Sequence, residues 1–279
     1  MKLQRIYIGL LEMQISKIGI FGVPRSGTTW LSQIFNSHPN LVLRFQPLFS
    51  YGHKGVLSEY SSAESIQTFF KEILYSQDAF ATMTSEVQKN YPIFEKSKQL
   101  SHIVFKEVRY LHIIENMLTQ CGEVKIIGIV RNPLAVLSSW MLAPKEFKQE
   151  WDINNEWRTA SSKNQGRPEE FFGFDKWKAS SKAFLQFERQ FPQQFLLVRY
   201  DDLNREPEQA TKRIFNFCGL EVSPQVQNFL SESKSRHDTD PYSVYRGQAS
   251  DNRWQTVLPD EIVKQIKLEI VNTPLNRFL

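Results

Sequence analysis

Short β-branched and aliphatic runs alternate along this chain with stretches whose apolar residues recur every three or four positions. Five runs, Lys17 to Phe21, Leu41 to Phe45, His102 to Lys106, Val124 to Val130 and Phe195 to Arg199, are near-continuously apolar. That is the pattern of parallel strands joined by crossover helices. Between them Ile66, Phe69, Phe70, Ile73 and Leu74 form one helical stripe, and Leu111, Ile114 and Leu118 form another. Pro207 stands at a first helical position, Ala210, Ile214 and Phe217 follow on one face, and Gly219 reads as the C-terminal cap. A last helix begins near Pro259 and carries Ile262, Ile266 and Ile270. Strands joined by crossover helices predict an α/β fold, a doubly wound sheet of about five parallel strands flanked by helices.

The pattern breaks once. Residues 143–173 show no clean period yet contain Trp151, Trp157, Arg158 and the pair Phe171-Phe172. Such an insertion is too long for a plain connector. It reads either as a lid or acceptor-binding wall, or as a surface excursion with one or two local helices. With no repeat, linker or low-complexity tract elsewhere, residues 1–279 are expected to form a single domain, with 1–16 as an N-terminal extension.

Composition narrows the class. A chain that is 41% hydrophobic and 23% charged is neither disordered, coiled-coil nor collagen-like. Its formal charge of +4 comes from Lys and Arg spread along the chain, which suits a pocket for an anionic small molecule or a mildly basic surface. No nucleic-acid partner is expected. Cys121 and Cys218 have no metal-ligand or redox spacing and read as reduced, structural thiols. The apolar stretch within Met1 to Leu11 is interrupted by Glu12, with no cleavage site or membrane span after it. A cytoplasmic location without a membrane partner is the expectation.

The candidate chemistry sits after the first strand. Ile18 to Phe21, the turn Gly22-Val23-Pro24-Arg25-Ser26-Gly27 and the helix start Thr28-Thr29-Trp30-Leu31 have the geometry of a phosphate loop. Backbone N–H groups and the positive end of a helix converge after such a turn, and glycines let the backbone approach an oxyanion. Arg25, Ser26, Thr28 and Thr29 add side-chain donors. The fold is therefore P-loop-like, with one departure: Gly22 and Gly27 fit G-x-x-x-x-G-K-[ST], but Thr28 replaces the lysine and the cation sits in the loop at Arg25. A neighbouring strand of a kinase or ATPase ends in an acidic residue for Mg²⁺, whereas Val124 to Val130 runs into Arg131. No metal is expected. Arg131 and Ser139, on the helix after Asn132-Pro133, can converge on a second phosphate.

These motifs resemble those of the PAPS-dependent sulfotransferases. The family's first loop has the form P-[KR]-S-G-T-T-W, met by Pro24 to Trp30, and its 3′-phosphate site has an Arg followed eight residues later by a Ser, met by Arg131 and Ser139. Leu197 to Leu203 and Glu206 to Gly219 are similar to the strand, tyrosine segment and helix that follow, and Tyr245-Arg246-Gly247 with Trp254 is similar to the segment covering the 3′-phosphate. The resemblance spans about Ile18 to Ile270. It implies donor contacts from Arg25, Ser26, Gly27, Thr28, Thr29, Trp30, Arg131, Ser139, Tyr200, Arg246 and Gly247, with Trp30 stacked on adenine. The implied donor is 3′-phosphoadenosine 5′-phosphosulfate (PAPS), the product PAP, and the partner a small-molecule acceptor with a hydroxyl or amine.

The resemblance implies an electrostatic role for Arg25, where cytosolic members carry a lysine, and places Lys106 at the transferred group. It weakens at the base. Cytosolic members read Lys-Thr-His where this chain has Lys106-Glu107-Val108, and the glutamate that others carry before a proline is Gln46, before Pro47. Glu107 and His53, both near strand ends, are the remaining candidates. Two rival readings stay open: a PAP- or PAPS-binding protein without turnover, and a P-loop phosphotransferase. Phe45, Phe49, Tyr51, Trp151, Trp157 and Phe171 are the aromatics available for an acceptor wall that would take a phenol, sterol, sugar or alkaloid, and a cytoplasmic small-molecule or natural-product acceptor is expected rather than that of the family's membrane-anchored glycan-modifying members.

Overall fold

The computed structural model describes residues 15–86, 91–236, 238, 240, 242–245 and 251–279. Its five strands are β1 (Ser16–Phe21), β2 (Leu41–Phe45), β3 (His102–Glu107), β4 (Val124–Val130) and β5 (Phe195–Arg199). All pair in parallel, in the order β2-β3-β1-β4-β5. Three of the five expected runs match to the residue, and β1 and β3 each gain one.

Helices cover the sheet on both sides, so the inner strands β3 and β4 are almost wholly buried, whereas the edge strand β2 alternates buried and half-buried residues. One side is built from α1 (Thr28–Asn36), with α6 (Pro207–Cys218) and α7 (Pro224–Ser235). Leu31, Ile34, Ile214 and Phe215 from these helices pack on Ile18, Ile20, Val104 and Ile127. The other side carries α2 (Ala63–Leu74), α3 (Ile114–Gln120), α4 (Pro133–Met141), α5 (Phe174–Gln190) and α8 (Asp260–Ile270). There Phe69, Phe70, Met117, Leu137 and Phe184 pack against Phe21, Phe105 and Phe195. Helix boundaries follow local chemistry: Ser62 accepts from the Ser65 amide at the start of α2, Pro207 opens α6, and Gly219 ends it with φ 75°. The Leu111 stripe resolves into a 3₁₀ turn at Leu111–Ile113 followed by α3.

Residues 143–173 hold two one-turn helices, Ile153–Glu156 and Ser161–Asn164. Trp157, Phe171 and Phe172 turn inward and join the core. Both cysteines are buried and free. Among the described residues no helix is long and apolar enough to cross a membrane.

The strand order places the site. β1 is central, and the chain moves from it towards β2 on one side and to β4 on the other. Ligands of open parallel sheets bind outside the carboxyl ends of the strands where this reversal occurs. Here that point lies between the loop after β1 and the turn after β4.

Candidate active site

A cleft of about 730 Å³ opens at this point and takes residues from the ends of the strands. The β1 end supplies Pro24 to Trp30. Gly27 caps α1 with φ 89°, a left-handed conformation that favours glycine. A Cβ there would meet two Tyr200 ring carbons at 2.4 and 2.6 Å. The first amides of α1 have no carbonyl partner within the helix and carry the positive end of its dipole. Ser26 is fully buried and its Oγ has no hydrogen-bond partner among the described residues, an uncommon cost unless a ligand supplies one. Gly27→Ala is expected to cost about 1–3 kcal/mol of stability from backbone strain alone. Displacement of the Tyr200 ring adds to that cost, and thermal melting is the check. An alanine variant that melts like the wild type would remove this account of the loop.

Arg25 itself adopts φ 71°, strain of the kind that persists at functional sites. Its Nε donates to Ser139 Oγ at 3.1 Å, and its guanidinium lies 3.6 Å from Glu146 Oε2 and 5.3 Å from the Tyr242 ring centre. From the β4 end, Arg131 donates to the Arg25 carbonyl at 2.8 Å, sits over the Tyr200 ring at 4.7 Å and pairs with Asp251. Burial opposes its charge, but the Tyr200 phenol and the Asp251 carboxylate together hold its pKa above the ordinary arginine value. Trp30 is half-buried on the cleft wall, with Nε1 donating to Ser233 Oγ at 3.2 Å and its ring edge-on to Tyr200.

The other half of the cleft is reached from β2 and β3. Lys106 is 2% exposed, with Nζ 4.3 Å from the Phe45 ring centre. Burial lowers its pKa to about 7. Arg109 bridges Glu170 and Gln46 Oε1, at 3.0 and 3.3 Å, and lies 4.0 Å from the Phe49 ring centre. Phe80, Tyr91, Leu142, Lys145, Glu146, Phe172 and Tyr242 complete this wall.

A family model, described as the sulfotransferase family, matches residues 17–224. The chain belongs to the sulfotransferase family. The curated proteins it resembles include carbohydrate sulfotransferase 3 of Tetronarce californica, 25% identical over 176 residues that cover 61% of this chain and 40% of that protein. Carbohydrate sulfotransferase 2 of Mus musculus is 34% identical over 77 residues, 26% of this chain and 14% of that one. The matches thus span less than half the length of these relatives. Among solved structures, mouse sulfotransferase SULT7A1 complexed with PAP aligns with TM-score 0.55 and 14% identity, covering 96% of this chain and 90% of that one. The sulfotransferase domain from the Synechococcus PCC 7002 olefin synthase gives 0.51 and 18%, covering 92% and 95%. At these identities the structural likeness shows the fold.

Of the residues singled out in the sequence, this sulfotransferase-family fold brings Arg25, Gly27, Thr28, Thr29, Trp30, Lys106, Arg131, Ser139 and Tyr200 onto one cleft, with Ser26 buried beneath. Arg246 and Gly247 lie outside the described residues. Neither candidate base lines the cleft. Glu107 follows Lys106 on β3 and so faces the opposite side of the sheet. It is fully buried, with Oε1 accepting from the Leu48 amide at 2.9 Å and a pKa raised by burial to about 8. His53 is buried with Nε2 2.8 Å from Ser76 Oγ. Of the six aromatics expected to form an acceptor wall, only Phe45 lines the cleft, joined by Phe80, Tyr91, Phe172 and Tyr242. Trp157 and Phe171 are core, and Tyr51 is fully exposed.

Sequence reasoning missed Glu146, Asp251 and Arg109. Asp251 belongs to the same C-terminal segment as Arg246 and Gly247, so proximity to the Arg131 site was the available signal. Glu146 sits where the apolar period fails, and no pattern marked it.

Proposed function

We propose that this chain transfers a sulfuryl group from PAPS to a hydroxyl of a small, sugar-bearing acceptor, releasing PAP. The observation that carries the reading is the meeting of three cations from three different strand ends, Arg25, Lys106 and Arg131, around the N-terminus of α1. Sulfuryl transfer involves little covalent work by the protein. Positioning and stabilisation of developing negative charge supply most of the acceleration.

The residues fit the donor in parts. The α1 amides, Ser26, Thr28 and Thr29 suit the 5′-phosphosulfate. Arg131 and Ser139 suit the 3′-phosphate, and the Trp30 face suits adenine. Arg25 reaches between the two anionic regions, and a guanidinium fixed there stabilises negative charge growing on the bridging oxygen as the S–O bond breaks. Lys106, costly to keep charged when buried, gains a partner in the sulfuryl oxygens, which favours its protonated form.

The acceptor wall combines rings, Phe45, Phe80, Tyr91 and Phe172, with hydrogen-bonding Gln46, Arg109 and Lys145. Rings that cover apolar C–H faces beside polar groups that meet hydroxyls suit a sugar, and the names of the curated relatives point to the same class. The test uses ³⁵S-labelled PAPS with p-nitrophenyl glycosides and no added metal. Labelled glycoside and an equal amount of PAP are expected. Transfer to p-nitrophenol alone would contradict the sugar reading, and PAP binding without transfer to either would favour a binding protein over an enzyme.

A further inference from the structure

The base for the acceptor proton is the part of the chemistry that neither Glu107 nor His53 supplies from the cleft. The described cleft-lining carboxylates are Glu146, Asp238, Asp240 and Asp251. Asp251 is committed to Arg131. Asp238 and Asp240 accept backbone amides two residues on, from Asp240 at 3.0 Å and Tyr242 at 2.9 Å, and so shape their own turn. Glu146 differs: its Oε2 is buried and accepts no hydrogen bond among the described residues. The Arg25 guanidinium is 3.6 Å away, a charge contact too long for a hydrogen bond.

Its placement is fixed from behind. The Glu146 amide donates to the Ala143 carbonyl at 2.8 Å, and its carbonyl accepts from the indole Nε1 of Trp140 at 3.2 Å. Trp140 is 1% exposed and packs against Phe147 and Phe172. The side chain therefore projects from a backbone held by the core. Tyr91, Lys106 and Tyr242, which line the same cleft from three separate segments, lie within reach of its charge.

We propose that Glu146 is the general base that takes the acceptor hydroxyl proton. The inference rests on the sulfotransfer reading above. In the step, the acceptor oxygen forms a bond to sulfur as its proton passes to the Glu146 carboxylate. The bond from sulfur to the bridging oxygen breaks, and its electron pair leaves on the 5′-phosphate of PAP, beside Arg25. The proton then returns to solvent from Glu146. Arg25 contacts Glu146 before the reaction and would meet the leaving oxygen during it, so donor binding draws the cation from the carboxylate and leaves a freer base. The 143–173 insertion thereby has a catalytic part in its first residues.

The test compares two acceptors of different acidity with labelled PAPS at neutral pH. Glu146→Gln should slow transfer to p-nitrophenyl β-galactoside by roughly 100-fold or more, the usual scale of general-base catalysis. Transfer to p-nitrophenol, a good part of which is already phenolate at neutral pH, should fall by less than about threefold because the phenolate needs no base. Glu150→Gln, an exposed carboxylate paired with Lys148, should match the wild type on both. Unchanged PAP stabilisation shows that the glutamine variant is folded with its donor site intact. If that stabilisation is lost, Glu146→Asp is judged by the same ratio between the two acceptors. Equal losses on both acceptors, or no loss on the galactoside, would overturn the role of Glu146. A wild-type chain that transfers to neither would instead overturn the reading beneath it.

Discussion

Replacement of Arg25 by alanine is expected to lower kcat by roughly 100- to 1,000-fold, the scale seen when one donor aimed at a developing oxyanion is removed. The structure gives three reasons for so large an effect. Arg25 lies in the turn between β1 and α1, its guanidinium is held by Ser139, Glu146 and Tyr242, and its backbone is kept at φ 71° by the surrounding loop. Arg25→Lys should recover part of the loss, because an ammonium keeps the charge but not the planar fork. Arg25→Gly separates chemistry from stability. It should lose activity as fully as the alanine variant while melting no lower, because glycine adopts the left-handed conformation without strain. Steady-state transfer of labelled sulfate with parallel melting curves measures both. Activity within a few-fold of wild type in the alanine variant would reduce the loop to a binding feature.

The second large effect is on nucleotide recognition. Arg131→Ala should weaken PAP by about 1.5–3 kcal/mol, the contribution of hydrogen bonds to a charged group, and should leave AMP binding nearly unchanged because AMP has no 3′-phosphate. One complication is built into the site. Arg131 also neutralises Asp251, whose Oδ2 is buried without a hydrogen-bond partner among the described residues. Loss of the guanidinium alone leaves a poorly solvated carboxylate and costs stability. The double variant Arg131→Ala with Asp251→Asn removes that charge and isolates the effect on the nucleotide. Titration calorimetry with PAP and AMP on both variants checks the claim. Parallel losses for the two nucleotides would assign the 3′-phosphate elsewhere.

The strands were legible because each is a short, mostly apolar run packed between helices, so composition marks it; the extra residues Ser16 and Glu107 are polar and carried no such signal. The part of the cleft proposed for the donor was legible for a related reason. A phosphate loop is local in sequence, and Pro24 to Trp30 specifies its turn, its helix start and its cation together. Arg131 and Ser139 are close in sequence as well, the first in the turn after β4 and the second on α4. The part proposed for the acceptor takes its lining from β2, β3, residues 142–146, Phe172 and Tyr242, and no short window contains its pattern. Periodicity placed Glu107 at a strand end without showing which face it would take, and the neighbouring Lys106 took the cleft. Phe171 and Phe172 are adjacent, and tertiary packing turned the first into the core alone and the second towards the cleft as well.

The central claim is that the cleft is built for a nucleotide with a 3′-phosphate, and thermal melting with PAP and AMP tests it most directly. Without added metal, PAP at about 100 times its Kd should stabilise the wild-type chain by about 2.7 kcal/mol. For a domain of this size that corresponds to a rise in Tm of roughly 5–10 °C. AMP at the same concentration should give less than about a third of that rise, because Arg131 and Ser139 gain no partner. Equal shifts from PAP and AMP, or a shift from neither, would contradict the account.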